Sequence, residues 1–289
     1  MGCRSLRLFL IAALLLCAGL QMHAAKRGPI VRQLDNILIQ TDDPNALFSF
    51  FTETLGLPAA WLPKDSPAYT GGGVGAGNVT FELIRAAPRN SRSGARVSGL
   101  ALVPYPLGDV IAELQFRKIP HEPPEPYNSI LPNGSEGILW TTVVLSELSE
   151  PDFPVFLREY NPGFLDTEIR RMQLSGRLAL KKGGSLGVQS VKEIVLRTGN
   201  LRQDRLRWRD LLMPSAPSSV SVWQAGRGPD IRLVAGARRG VQRIVIKVDS
   251  LPRARTFLRE RNLLGSESGD SISINPAMIQ DLAIRLVEQ

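Results

Sequence analysis

LDNILIQTDDPNALFSFFTETLGL (residues 34–57) and VQRIVIKVDSLPRARTFLRERNLLG (residues 241–265) lie near opposite ends of the chain and follow one plan. Each opens on a short apolar run that reads as a strand. Each then turns at an Asp followed by a Pro, Pro44 or Pro252, which fits a helix start. Each helix carries a bulky pair, Phe50-Phe51 or Phe257-Leu258. Each closes on leucines and a glycine, Gly56 or Gly265. Two fainter copies lie between them, VSGLALVPYPLGDVIAELQFRKIP (97–120) and VKEIVLRTGNLRQDRLRWRDLLMP (191–214). Their helices bury Val110, Ile111 and Leu114, and Leu206, Trp208, Leu211 and Leu212, at helical spacing.

Short strands follow every helix. The last of each set is the clearest: NVTFELIRA (78–86), PVFLREY (154–160), DIRLVAG (230–236) and DLAIRLVE (281–288). The unit is strand, helix, then up to three strands, four times over. The stretch 163–189 is polar and ends in glycines, so it reads as a linker. It divides the chain into paired halves, 32–162 and 190–289. The fold expected is α+β, with tandem β-α-β-β-β modules forming two cupped mixed sheets.

The chain of 289 residues begins with Arg4 and Arg7, then an uncharged run from Leu8 to Leu20, then Ala24 and Ala25. That is the plan of a signal peptide over residues 1–25, which implies a secreted or periplasmic protein. The alternative is an uncleaved anchor, although about 20 apolar residues are needed to span a bilayer. After cleavage no stable membrane span is expected. Both cysteines, Cys3 and Cys17, fall in this leader, so the remainder has no disulfide and no Cys-based metal site. The net charge of +8 is dispersed and no nucleic-acid motif appears, so nucleic acid is not an expected partner. Beyond the leader there is one histidine, His121, in the proline-rich PHEPPEPY. No Ser-His-Asp or Cys-His arrangement can be built around it. The glycine run TGGGVGAGN (70–78) leads into a strand rather than a helix, which excludes a dinucleotide fingerprint. It reads instead as backbone that something approaches closely.

The four-fold pattern resembles the vicinal oxygen chelate superfamily, which includes glyoxalase I, extradiol dioxygenases and bleomycin-resistance proteins. The first half, with LDNILIQTDDPNALFSFFTETLGLP and NVTFELIRA, carries the resemblance best as a glyoxalase-like domain. The resemblance implies paired modules whose sheets form a cup around a divalent metal. The metal ligands come from the first and last strands of each module. Carried onto this chain, those positions are Asn36 and Glu82, then Gly99 and Glu159 with Arg158 beside it. In the second half they are Glu193, Arg232, Arg243 and Arg285. A divalent metal wants three or four deprotonated donors, usually with a histidine among them. The first cup offers none of the histidines, and the second offers mostly arginine.

The expectation is therefore a glyoxalase-like protein without the usual metal site and with no cofactor. It would bind a small organic ligand in the N-terminal cup, lined by Asn36, Tyr69, Trp140, Glu159 and Tyr160. The alternative is a divergent lyase, isomerase or dioxygenase with Glu82 as catalytic base. A weakly held divalent metal such as Mg²⁺ or Ca²⁺ would then bridge Glu82 and Glu159. In the second half, the charged positions either pair with one another, face outward, or hold a carboxylate or phosphate ligand.

Overall fold

The computed structural model describes residues 28–66, 69–85, 94–131 and 133–288. The expected leader lies outside these residues. Among the described residues no helix is long and apolar enough to cross a membrane. The architecture is α+β with two mixed sheets, one of them a curled half-barrel.

The first sheet starts with β1 (Val31–Gln40), which runs into helix α1 (Pro44–Ser49). Asp43 caps that helix through the Ala46 N–H at 2.9 Å, and Pro44 sits in its first turn, where no backbone donor is needed. The helix passes into a π-helical turn, Phe50–Thr54, and ends at Gly56, whose φ of +74° suits glycine. Leu47, Phe48 and Phe51 are thereby buried against the sheet. Strands β2 (Ala59–Ser66), β3 (Tyr69–Gly75) and β4 (Thr80–Arg85) follow. Next come β5 (Arg96–Pro104), helix α2 (Leu107–Phe116), β6 (Glu125–Ile130), β7 (Glu136–Val144) and β8 (Val155–Tyr160). The spatial order is β2-β3-β4-β1-β5-β8-β7-β6. β1 pairs with β4 in parallel and with β5 antiparallel; β5 pairs with β8 in parallel.

The glycine run forms β3, and its glycines admit neighbours on both faces. A Cβ on Gly73 would overlap the Trp61 ring, and one on Gly75 would lie 3.0 Å from Leu174. A Cβ on Gly72, on the opposite face, would press on Phe48 at 3.0 Å.

The segment read as a linker contains helix α3 (Thr167–Leu180), capped by Asp166 through the Glu168 and Ile169 N–H groups. This helix crosses the first sheet at β3, where Leu174 meets Gly75 and the Ser175 hydroxyl donates to the Gly77 carbonyl at 2.8 Å. Its polar composition hid it, because tertiary contacts rather than a wide apolar stripe hold it.

The second sheet contains β9 (Val188–Thr198), β10 (Val222–Gln224), β11 (Asp230–Ala235), β12 (Gly240–Val248), β13 (Leu264–Ser268), β14 (Ser271–Ile274) and β15 (Ile284–Val287). Helices α4 (Leu201–Leu212) and α5 (Leu251–Glu260) cross it. The order is β10-β11-β9-β12-β15-β14-β13. One apolar cluster runs through both sheets, from Ile30 and Phe81 to Trp208 and Leu286. Asn78 joins the sheets by exchanging hydrogen bonds with the Val191 backbone, both at 3.0 Å.

Candidate functional site

Strand alternation sorts the side chains of the first sheet. Phe81 and Leu83 on β4, and Val155 and Leu157 on β8, join the main core under the helices. Leu38, Ala101 and Phe156 form a separate apolar floor on the other face, flanked by Ile84 and Val144. That face is the cup. A polar network rises from it.

Asn36 is fully buried and donates through Nδ2 to Glu82 Oε2 at 2.9 Å and to the Tyr160 hydroxyl at 3.2 Å. Arg158 Nη1 reaches the same Glu82 oxygen at 3.1 Å. The Tyr160 hydroxyl donates to Asp35 Oδ2 at 3.1 Å, and Arg170 of α3 grips both Asp35 oxygens at 2.8 and 2.7 Å. Two ion pairs thus meet at one phenol. The space left between α3 and the cup wall, beside Asp35 and Thr80, is about 10 Å³, no more than a single water requires.

The electrostatics follow from burial and pairing. Burial pulls the Arg158 and Arg170 pKa values down, but the carboxylates Glu82 and Asp35 outweigh it, so both stay above the ordinary arginine value. Burial pushes the Tyr160 hydroxyl up to about 12, with the Asp35 charge adding to the effect. Tyr160 therefore acts as a neutral hydrogen-bonding hub.

Of the expected site residues, Asn36, Glu82 and Tyr160 come together. Trp140 stands beside them, stacked on Tyr127 at 4.4 Å between ring centroids, with the Arg158 guanidinium 5.2 Å from its ring. Tyr69 is in β3, but its side chain lies outside the described residues. Glu159 faces away from the cup and accepts from the Leu107 N–H at 2.8 Å, at the start of α2. Glu82 and Glu159 thus occupy opposite faces of the sheet and do not form a two-carboxylate cation site. Three members of the network were not anticipated from sequence: Arg158 as the cup residue of β8, Asp35, and Arg170.

Does this donor set fit a divalent metal? A guanidinium already sits against Glu82, and Asn36 turns its amide N–H₂, not its oxygen, towards that carboxylate. Asn36 Oδ1 is buried without a partner among the described residues, but a lone amide oxygen beside an arginine is no cation site. Among the described residues, no three His, Cys, Asp or Glu side chains gather. The first-sheet residues Asn36, Glu82, Arg158 and Glu159 do not fit the divalent metal that the resemblance implies.

Beside Tyr160, outside the cup, opens a cavity of about 570 Å³. Arg32, Pro104, Ile138, Thr141, Glu159 and Asp166 contribute to its walls. The Arg32 guanidinium lies 5.3 Å from the Tyr105 ring centroid, and no carboxylate among the described residues pairs with it. The two acids are engaged as caps at the starts of α2 and α3.

The fold is that of extradiol ring-cleaving dioxygenases. A structure of such an enzyme from B. fuscum matches with a TM-score of 0.60 at 13% identity, over 92% of this chain and 74% of that one. Homoprotocatechuate 2,3-dioxygenase from Brevibacterium fuscum, in complex with 3,4-dihydroxyphenylacetate, gives 0.58 at 11% identity, over 92% and 82%. The Arthrobacter globiformis enzyme gives 0.58 at 12% identity, over 92% and 82%. No family model and no curated protein sequence matches the chain.

Proposed function

We propose that this protein is a metal-independent binding protein built on the extradiol dioxygenase fold, holding a small organic anion in the cavity beside Tyr160. The observation that carries the reading is the Arg158–Glu82 pair at 3.1 Å, with Asn36 on the same carboxylate oxygen. A permanent protein cation held against Glu82, a position that the resemblance matches to a metal ligand, supports the metal-independent reading. The ligand site is then the 570 Å³ cavity, within the usual size of small-molecule pockets. Arg32 supplies its charge and Ile138 and Pro104 its apolar wall. The strand orders of the two sheets support four copies of one unit, the third lacking a strand. The leader pattern of residues 1–25 supports action outside the cytoplasm.

The test is a melting-temperature screen of small aliphatic and aromatic carboxylic acids. The reading expects a saturable ligand whose affinity falls about tenfold in Arg32→Ala, the worth of one charge-assisted hydrogen bond. Thr141→Trp, which fills the cavity, should abolish binding. Ring-cleaving or lyase turnover that depends on added metal and is lost in Glu82→Gln would establish the alternative, a divergent enzyme.

A further inference from the structure

The second sheet carries its own charged face, turned away from the helices. Alternation places Ile194, Leu196, Ile231, Leu233, Ile244 and Ile246 in the main core. Their neighbours along the strands face the other way. Register lays those neighbours out in rows. Arg232 of β11 stands opposite Val195 of β9, which stands opposite Arg243 of β12. In the next row Asp230, Glu193, Val245, Arg285 and Ser273 follow one another across five strands. Lys247 continues the face along β12, opposite Ser190.

The charges on this face are unevenly compensated. The two carboxylates, Asp230 and Glu193, sit together at one side, and Glu193 Oε2 is taken by Arg232 Nε at 2.7 Å. Arg243 stands diagonally between Glu193 on β9 and Arg285 on β15, with Lys247 further along β12, and among the described residues none of these three cations forms an ion pair with a carboxylate. Arg243 Nε is buried and has no acceptor among the described residues. Val195 and Val245 are buried on this face yet belong to neither apolar cluster, which fits coverage by the long stems of the arginines beside them. Strands spaced about 4.8 Å apart put diagonal neighbours such as Arg243 and Arg285 roughly 7–8 Å apart at the backbone. Guanidinium groups on such stems can converge on one anion.

We infer that this face is a binding site for a small multivalent anion, a di- or tricarboxylate or a phosphate, gripped by Arg243 and Arg285 with Lys247 alongside. Converging like charges repel, and a buried guanidinium N–H without an acceptor is costly; one anion relieves both. Planar guanidinium forks suit the paired oxygens of carboxylate and phosphate alike. The site is separate from the cavity beside Tyr160 and stands or falls independently of it.

The experiment is calorimetric titration of the full chain with citrate and, separately, inorganic phosphate at constant ionic strength. Saturable binding of either, weakened at least tenfold in both Arg243→Gln and Arg285→Gln and unchanged in Arg238→Gln, an exposed arginine outside both sites, is the expected result. The arm that binds identifies the source chemistry. Binding that survives both arginine substitutions overturns the inference. So does the absence of saturable binding to the unaltered chain. The Arg285→Gln variant keeps the test valid should Arg243→Gln fail to fold, and matching urea midpoints verify that the variants are folded.

Discussion

Removing the Glu82 carboxylate tests the cup directly. In Glu82→Ala the Arg158 guanidinium stays behind, with a side chain only 13% exposed, and loses its charge partner. Breaking a buried pair by deleting one member costs about 3–5 kcal/mol, because the survivor cannot regain water. Arg158 keeps the faces of Trp140 and Phe156 at 5.2 and 5.0 Å, so the lower end applies, about 3 kcal/mol. For a chain of this size that corresponds to a fall of roughly 6–12 °C in Tm. Removing both charges at once, in Glu82→Leu with Arg158→Met, replaces the pair by apolar groups of similar volume. That exchange is often close to neutral, so stability should return to within about 1 kcal/mol of the parent. Asn36 still has the Tyr160 hydroxyl as acceptor in both variants. Urea unfolding followed by tryptophan fluorescence measures all three proteins. A single variant costing under about 1 kcal/mol, or a double variant no better than the single, would refute a coupled buried pair.

Asp204 should govern part of the acid limb. It is fully buried, which by itself raises its pKa, but hydrogen bonds from Thr198, Arg239 and Arg207 outweigh burial and hold it below the free value of 3.8. Its stabilisation is therefore complete at neutral pH and fades as pH falls below the unfolded value. The urea midpoints of the parent and Asp204→Asn should differ most at pH 7 and converge towards pH 3. On β3, Gly73→Ala forces a methyl into the Trp61 ring and should cost about 1–3 kcal/mol. Gly176→Ala in α3, where an added Cβ meets no described atom within 4 Å beyond the helix's own backbone, should gain up to about 1 kcal/mol; thermal melts compare the two. Arg170→Ala should unpin α3 from Asp35, and amide exchange should rise across Thr167–Leu180 while β9 stays protected.

The β1–α1 unit was legible because its punctuation is local. Asp43 and Pro44 start the helix and Gly56 ends it, each through a backbone requirement that composition reveals. The glycine run was legible in kind: something does approach its backbone, and that something is Trp61 and Leu174. The inner face of β8 was not legible. In VFLREY both Phe156 and Leu157 are apolar, so alternation does not say which parity faces the cup, and Glu159 stood out where Arg158 does the pairing. A slip of one residue exchanges the two faces. Helix α3 was missed because only Leu174 and Leu178 form its buried apolar stripe. Its anchor, the Arg170–Asp35 pair, joins residues 135 positions apart, a separation no local pattern reports.

Metal content tests the central claim most directly. The protein is purified without chelator, its bound metals are counted by elemental mass spectrometry, and its Tm is taken with and without a strong chelator. An arginine held against Glu82 predicts less than stoichiometric metal and an unchanged Tm. One equivalent of a divalent metal per chain, lost together with stability on chelation or in Glu82→Ala, would contradict it.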